Sequence, residues 1–351
     1  MTPFLPHIAG MAGYIPGEQP ADGEYLKLNT NENPYPPSPL VLARLRAALD
    51  GRLRRYPDAA ATGVRRRLAA LFGRDEEQFL VGNGSDELLN VAVRCFAGAA
   101  DGVAFATPTY PYYGKLVELQ DARRVAVEFD DDFALPASLS AADARLTLVP
   151  NPNSPSGTVV AREDLESLAA GLSGILLIDE AYVDFARGGA LDLVDRHANV
   201  IVVRTLSKSF SLAGLRIGFC VASPEVVRGM GKVKEHYNIN TLSQVAAEAA
   251  LDDVDWMRRN ARRIAATRSR LTGTLRVHGC HVWESEANFV LARMPSSADA
   301  GRIASELRRR RILVRYFGGD PRLSDCLRIS VGTDAEIDRL LQELCGLMRK
   351  A

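Results

Sequence analysis

The chain has 351 residues, more than one compact core usually holds, so two domains are the starting expectation. Its 47% hydrophobic and 25% charged residues are the balance of a soluble globular protein. The 43 basic residues are matched by 43 acidic ones, which excludes a whole-protein electrostatic grip on nucleic acid or on an anionic membrane. Cys95, Cys220, Cys280, Cys326 and Cys345 are scattered, odd in number and form no CxxC pair, which fits a reduced, cytoplasmic chain. Residues 1–10 have neither a basic start nor a long apolar run, so no signal peptide is expected. No apolar run reaches the length of a membrane span.

In chain order, the first thirty residues read as an irregular arm broken by Gly10, Gly13, Pro16, Gly17 and Pro20. The stretch from Asn29 to Pro37 is turn-rich loop. Helices are predicted over about Leu40–Leu49 and Val64–Phe72, the second ended by Gly73. Short, β-branched, apolar runs then alternate with helical stretches. The predicted strands are Gly102–Ala106, Leu146–Val149, Ile175–Ile178, Val200–Val203 and Ile217–Val221, read as a parallel sheet covered on both faces. Helices are expected near Asp86–Phe96, Tyr112–Leu119, Arg162–Ala170 and Pro224–Lys234. This is an α/β pattern, in which ligands sit at the carboxyl ends of the strands. A long helix over about Leu242–Leu275, with a break, leads to a smaller α+β unit read as strand, helix, strand, strand, helix. The expected division is an arm (1–28), a large domain (29–250) and a small domain (251–351).

Five segments that follow predicted strands or open a helix carry polar chemistry. Lys208, in Thr205-Leu206-Ser207-Lys208-Ser209-Phe210, follows a core strand; there it is either a solvent-seeking loop lysine or an amine poised to form a Schiff base with an aldehyde. Asp179 ends another core strand. It is either a helix cap or the carboxylate that keeps a pyridine nitrogen protonated, so that the ring accepts electrons. Tyr182 lies three residues on, in reach of a ring oxygen. Gly82-Asn83-Gly84-Ser85-Asp86-Glu87 opens a helix, where free N–H groups and the positive dipole end favour a phosphate. It matches neither the dinucleotide nor the P-loop fingerprint. Ser207 and Arg216 would add a hydroxyl and a guanidinium to the same phosphate. Pro150-Asn151-Pro152-Asn153-Ser154-Pro155-Ser156-Gly157 is a rigid turn, and Tyr110 in Thr107-Pro108-Thr109-Tyr110-Pro111 either packs in the core or stacks on a flat ring. His278-Gly279-Cys280-His281 has too few ligands at useful spacing for a metal site.

Together these segments resemble the fold type I pyridoxal-phosphate (PLP) enzymes and, within them, the histidinol-phosphate aminotransferase family. The resemblance runs from Tyr14 to Gly332. Its most specific parts are LNTNENPYP (Leu28–Pro36), RYP (Arg55–Pro57), GNGSDE, DEAY, TLSKSFSLAGLRIGF (Thr205–Phe219) and the pair LVRYF (Leu313–Phe317) and LRISVG (Leu327–Gly332). It implies a large domain with a mostly parallel sheet flanked by helices, a smaller α+β domain and a homodimer. It further implies that Lys208 binds PLP and shuttles a proton, that Asp179 pairs with the pyridine nitrogen, that Tyr182 bonds the 3′-oxygen and that Tyr110 stacks on the ring. The Ser85 and Asp86 backbone, Ser207 and Arg216 would bind the phosphate, with Tyr56 reaching the phosphate of the neighbouring subunit. Arg328 would grip a substrate carboxylate, with Arg315 beside it, and Tyr14 would come from the partner subunit. The turn departs from the family's Asn-Asn-Pro-Thr-Gly: the position that bonds the 3′-oxygen is Ser154, so either Asn153 fills the role from a shifted turn or Ser154 makes a shorter bond.

The leading functional reading is transamination between L-histidinol phosphate and 2-oxoglutarate. An aromatic aminotransferase and a PLP-dependent phosphothreonine decarboxylase use much of the same pattern. A PLP-binding DNA regulator lacks support, for want of a helix-turn-helix pattern or basic patch. So does a plain NAD-binding domain, for want of the glycine fingerprint.

Overall fold

The computed structural model describes residues 3–348. Its strands are β1 (Leu26–Leu28), β2 (Phe79–Gly82), β3 (Gly102–Thr107), β4 (Arg123–Glu128), β5 (Leu146–Pro150), β6 (Ile175–Asp179), β7 (Val200–Thr205), β8 (Gly218–Val221), β9 (His281–Val282), β10 (Phe289–Arg293), β11 (Ile312–Tyr316) and β12 (Cys326–Ser330). The helices are α1 (Pro6–Gly10), α2 (Pro39–Ala48), α3 (Thr62–Phe72), α4 (Ser85–Phe96), α5 (Tyr112–Leu119), α6 (Arg162–Gly171), α7 (Leu193–Arg196), α8 (Pro224–Gly231), α9 (Thr241–Asp252), α10 (Val254–Val277), α11 (Ala300–Arg309) and α12 (Asp334–Met348).

Seven strands form the large sheet in the order β2-β8-β7-β6-β5-β3-β4. Strands β3 to β7 run parallel, and the apolar runs of β3, β5, β6 and β7 are buried on both faces by helices, as the sequence pattern requires. Two apolar layers lie against the two faces. One contains Leu176, Ile178, Val200 and Val202, the other Leu177, Ile201 and Val203. The sheet is mostly parallel, as expected, with the exception at one edge. Strand β8 lies antiparallel between β7 and β2. The connection from β7 to β8, residues 206–217, holds Lys208, Arg216 and a single short turn of helix at Ala213–Leu215, not the crossover helix that a parallel neighbour normally uses. Periodicity also missed β2, only four residues long, and β4, an edge strand of alternating exposed and half-buried residues with little apolar signal.

The long helix breaks at Asp253 into α9 and α10. Beyond it lies a second sheet, β1-β11-β12-β10-β9, packed on α10, α11 and α12 through Leu271, Ile303, Ile312, Ile329 and Leu340. Strand β1, from the end of the N-terminal arm, pairs parallel to β11, with Leu28 opposite Val314. The chain from Asn29 to Asn33 therefore leaves the edge of the small sheet and crosses to the carboxyl ends of the large one.

Candidate active site

The carboxyl ends of β5, β6 and β7 and the first turn of α4 open into one cleft of about 580 Å³, lined among others by Ser85, Asp86, Tyr110, Ser154, Asp179, Tyr182, Ser207, Lys208 and Arg216. Most residues singled out by the sequence motifs thus meet in one place.

Asp179 is the last residue of β6 and is buried. Its Oδ2 accepts a hydrogen bond from the Tyr113 hydroxyl at 2.8 Å, and Oδ1 accepts one from the Ala181 N–H at 3.1 Å. Burial outweighs both bonds and pushes its carboxyl up to about 6. A buried carboxylate with no cation beside it favours a cationic partner entering the cleft. The neighbouring Glu180, by contrast, is held by Arg204 at 2.7 Å and serves the fold. Lys208 projects from the loop after β7, its Nζ 3.5 Å from the Thr30 carbonyl and 5.7 Å from the centre of the Tyr182 ring.

The helix end of the cleft is shaped for an anion. Gly84, with φ +82°, turns the chain into α4, so that the first N–H groups of a twelve-residue helix face the cleft. A Cβ on Gly218 would lie 2.6 Å from the Ser85 nitrogen, so only glycine lets β8 approach this turn. The Ser207 hydroxyl is buried with no hydrogen-bond partner among the described residues. The Arg216 Nη2 stands 3.0 Å from Asp86 Oδ2, and the Tyr110 hydroxyl donates to the other oxygen of that carboxylate at 3.2 Å. An anion-binding turn, an unpartnered buried hydroxyl, a guanidinium, a buried carboxylate and a lysine in one cleft fit PLP: they match its phosphate, its pyridine nitrogen and its aldehyde.

Arg328 and Arg315 flank the cleft on the side of the small sheet: Arg328 bonds Ser154 of its lining, and Arg315 lines an adjoining hollow that shares Tyr110 with it. They are direct cross-strand partners on β12 and β11 and project from the same face. Arg328 is half-buried; its Nη1 donates to the Ser154 hydroxyl at 3.0 Å and its Nη2 to the Asn29 carbonyl at 2.9 Å. Its Nε is buried without a partner among the described residues. Burial pulls its affinity for the proton down, and Arg315 adds to this. Arg315 is half-buried over the Phe317 ring and makes no ion pair among the described residues. Two guanidiniums side by side, neither ion-paired among the described residues, mark a place for an anion.

Asn153 lies elsewhere than in the cofactor-binding place the sequence offered it, and Tyr14 and Tyr56 lie outside the cleft lining. Asn153 faces the turn, not the cleft: Oδ1 accepts from Thr109 Oγ1 at 2.9 Å, and Nδ2 donates to Ser156 Oγ at 2.9 Å. Ser154 takes the place in the cleft lining. Tyr14 lies beside the cleft-lining Tyr110. Residues 11–20 run on from α1, which packs on α5, and set the Tyr14 ring edge-on to Tyr110 and Tyr112 at 6.4 and 5.6 Å. Tyr56 is 80% exposed, stacked on Tyr237 at 4.4 Å, and does not line the cleft.

Sequence reading assigned no role to the strap Asn29–Asn33. The Asn29 carbonyl holds Arg328, the Thr30 carbonyl faces Lys208, the Asn31 amide donates to the Tyr182 hydroxyl at 3.0 Å, and Asn33 Nδ2 donates to the Lys208 and Ser209 carbonyls at 3.0 Å each. The signal available was three asparagines in five residues. That density read as turn chemistry because turns use asparagine in the same way.

Residues 23–344 match the family of class I and II aminotransferases. The histidinol-phosphate aminotransferase of Geotalea uraniireducens is 45% identical over 98% of this chain and 99% of its own length. That of Syntrophotalea carbinolica is 44% identical over 99% and 100%. Among solved structures, histidinol-phosphate aminotransferase from Sinorhizobium meliloti in complex with pyridoxal-5′-phosphate superposes with a TM-score of 0.91 at 29% identity, over 100% of this chain and 98% of that one.

Proposed function

The chain belongs to the histidinol-phosphate aminotransferases, within the class I and II aminotransferases, and from that premise we propose that the two-arginine cleft transaminates L-histidinol phosphate with 2-oxoglutarate, a step of histidine biosynthesis. Its cofactor is PLP and its fold is that of the PLP-dependent type I aminotransferases. When bound, PLP supplies the electron sink that stabilises negative charge at the substrate's reacting carbon. Lys208 would hold it covalently through Nζ and, once displaced by substrate, take the proton from that carbon and return it one bond away. The Asp179 carboxylate would keep the proton on the ring nitrogen, and the Tyr182 hydroxyl would donate to the ring oxygen. The N–H groups of Ser85 and Asp86, the Ser207 hydroxyl and Arg216 would hold the phosphate, and Tyr110 would pack against the ring.

The observation that carries the substrate reading is the Arg315–Arg328 pair. Histidinol phosphate brings a phosphate in one half-reaction and 2-oxoglutarate a dicarboxylate in the other, so both substrates offer the anion that the pair lacks. Tyr14, set against Tyr110 and Tyr112, helps shape the pocket for the imidazole ring. The exposed Tyr56 suits a homodimer in which it reaches the partner's phosphate site. The division into an arm (1–28), a PLP-binding domain (29–250) and a small domain (251–351), and a cytoplasmic location, belong to the same reading. The test is to add histidinol phosphate, phenylalanine or phosphothreonine separately to the PLP-loaded protein and follow the cofactor spectrum and products. Rapid conversion by histidinol phosphate to the amino form of the cofactor and a keto product supports the proposal. Faster reaction with phenylalanine, or carbon dioxide release from phosphothreonine, overturns it.

A further inference from the structure

We infer that Asn31 is a positioning residue: its side-chain amide turns the Tyr182 hydroxyl into a donor aimed at the cofactor, and Ser330, two residues from Arg328, locks that amide. This rests on reading the cleft as the PLP site.

The direction of each hydrogen bond follows from donor and acceptor bookkeeping. Asn31 is buried, and its backbone N–H donates to Ser330 Oγ at 2.9 Å. Ser330 is also buried, so its hydroxyl proton must find an acceptor, and Asn31 Oδ1 lies 2.9 Å away. The opposite orientation of the amide would leave that proton without one. With Oδ1 committed, Nδ2 points at the Tyr182 oxygen, 3.0 Å away, and can only donate. Tyr182 therefore accepts from Asn31, and its own proton is released toward the cleft that its ring lines. Without Asn31 the hydroxyl is free to rotate.

The backbone is built for this residue. Asn31 has φ +57°, a left-handed conformation that asparagine and glycine tolerate best. Its carbonyl accepts from Asn288 Nδ2 at 2.9 Å, and Asn288 sits beside Phe289, whose ring meets Tyr182 edge-on at 5.0 Å. The strap is thus held on three sides by the small sheet while its side chain addresses a residue after β6. Asn31 is uncharged, so removing it leaves the ionisable groups around Tyr182 (Lys208, Asp179, Arg328 and Tyr110) in place.

A donor to the ring oxygen stabilises the negative charge left there when the neighbouring nitrogen loses its proton, so it lowers the pH at which the bound cofactor's absorption titrates. The experiment is a spectrophotometric pH titration of PLP-loaded, substrate-free wild type, Asn31→Gly, Ser330→Ala, Tyr182→Phe and Asn31→Gly/Tyr182→Phe. Glycine removes the amide without straining the positive φ. Tyr182→Phe is expected to raise the titration midpoint by about one pH unit or more, the size of one lost hydrogen bond to a charged group. Asn31→Gly is expected to raise it by a smaller amount in the same direction, and Ser330→Ala by less again. The double variant should match Tyr182→Phe alone. If Asn31→Gly shifts nothing while Tyr182→Phe does, or if the two shifts add, the inference fails. If Tyr182→Phe itself shifts nothing, the reading of the cleft fails instead.

Discussion

The two walls of the cleft are assembled in different ways. On the cofactor side, Ser85, Asp179 and Lys208 each follow a strand of the large sheet, and each is placed by the few residues around it. On the anion-binding side, Arg328 is held by the Asn29 carbonyl, 299 residues away in the chain, and by Ser154, 174 residues away. The first wall is rigid because it is the edge of a packed sheet. The second exists only when the small sheet, the strap and the turn after β5 come together. On the proposed function, one wall supplies chemistry that any amino donor needs, and the other decides which donor is accepted. Such a division predicts that damage to the first wall is large and indifferent to substrate, and that damage to the second depends on the substrate.

The largest effect is expected at Lys208. Lys208→Ala should still bind PLP through the phosphate contacts, yet lose 10²–10⁴-fold or more in turnover with every donor, the range for losing a positioned acid–base group. Borohydride reduction followed by peptide mapping should label Lys208 alone in the wild type; label elsewhere breaks the assignment.

Asp179→Asn should cost on the order of 10²–10³-fold in kcat, again whatever the donor, because ring protonation is lost. Its stability signature has the opposite sign. The folded carboxyl lies at about 6, above its ordinary 3.8, so the fold favours the neutral acid. In the cofactor-free protein that contribution is fully present below about pH 4 and is lost as pH rises through about 6, on the order of 3 kcal/mol in all. Thermal melts of cofactor-free protein between pH 4 and 8 should therefore show Asp179→Asn gaining on the wild type as pH rises. A constant difference across that range contradicts the assignment. Ser207→Ala should be milder, weakening PLP about tenfold through one lost contact to a charged phosphate, with an unchanged preference among donors. Equilibrium dialysis measures it.

The same difference between the walls explains what the sequence disclosed. The strands β3, β5, β6 and β7 declared themselves as apolar runs, so the residues at their ends could be read as one site. Strand β4 could not, because its exposed face carries arginines. The antiparallel place of β8 is a matter of connection length, not of composition. Asn153 and Ser154 differ only in which way a proline-rich turn faces, and local pattern does not encode that. The roles of Asn29, Asn31 and Ser330 are set by contacts across the whole chain, so their types were visible and their partners were not.

The central claim is that the second wall selects a phosphate-bearing donor, and Arg315 is the residue that tests it most directly. Unlike Arg328, it does not hold the strap or the turn, so Arg315→Ala removes a charge without dismantling the cleft. The measurement is kcat/KM for histidinol phosphate and for phenylalanine, in wild type and Arg315→Ala. Loss of one charge-assisted contact of about 2–3 kcal/mol should lower the histidinol phosphate value roughly 30- to 150-fold, while phenylalanine changes little. An unchanged ratio between the two donors would contradict the account, because Arg315 would then play no part in choosing the substrate.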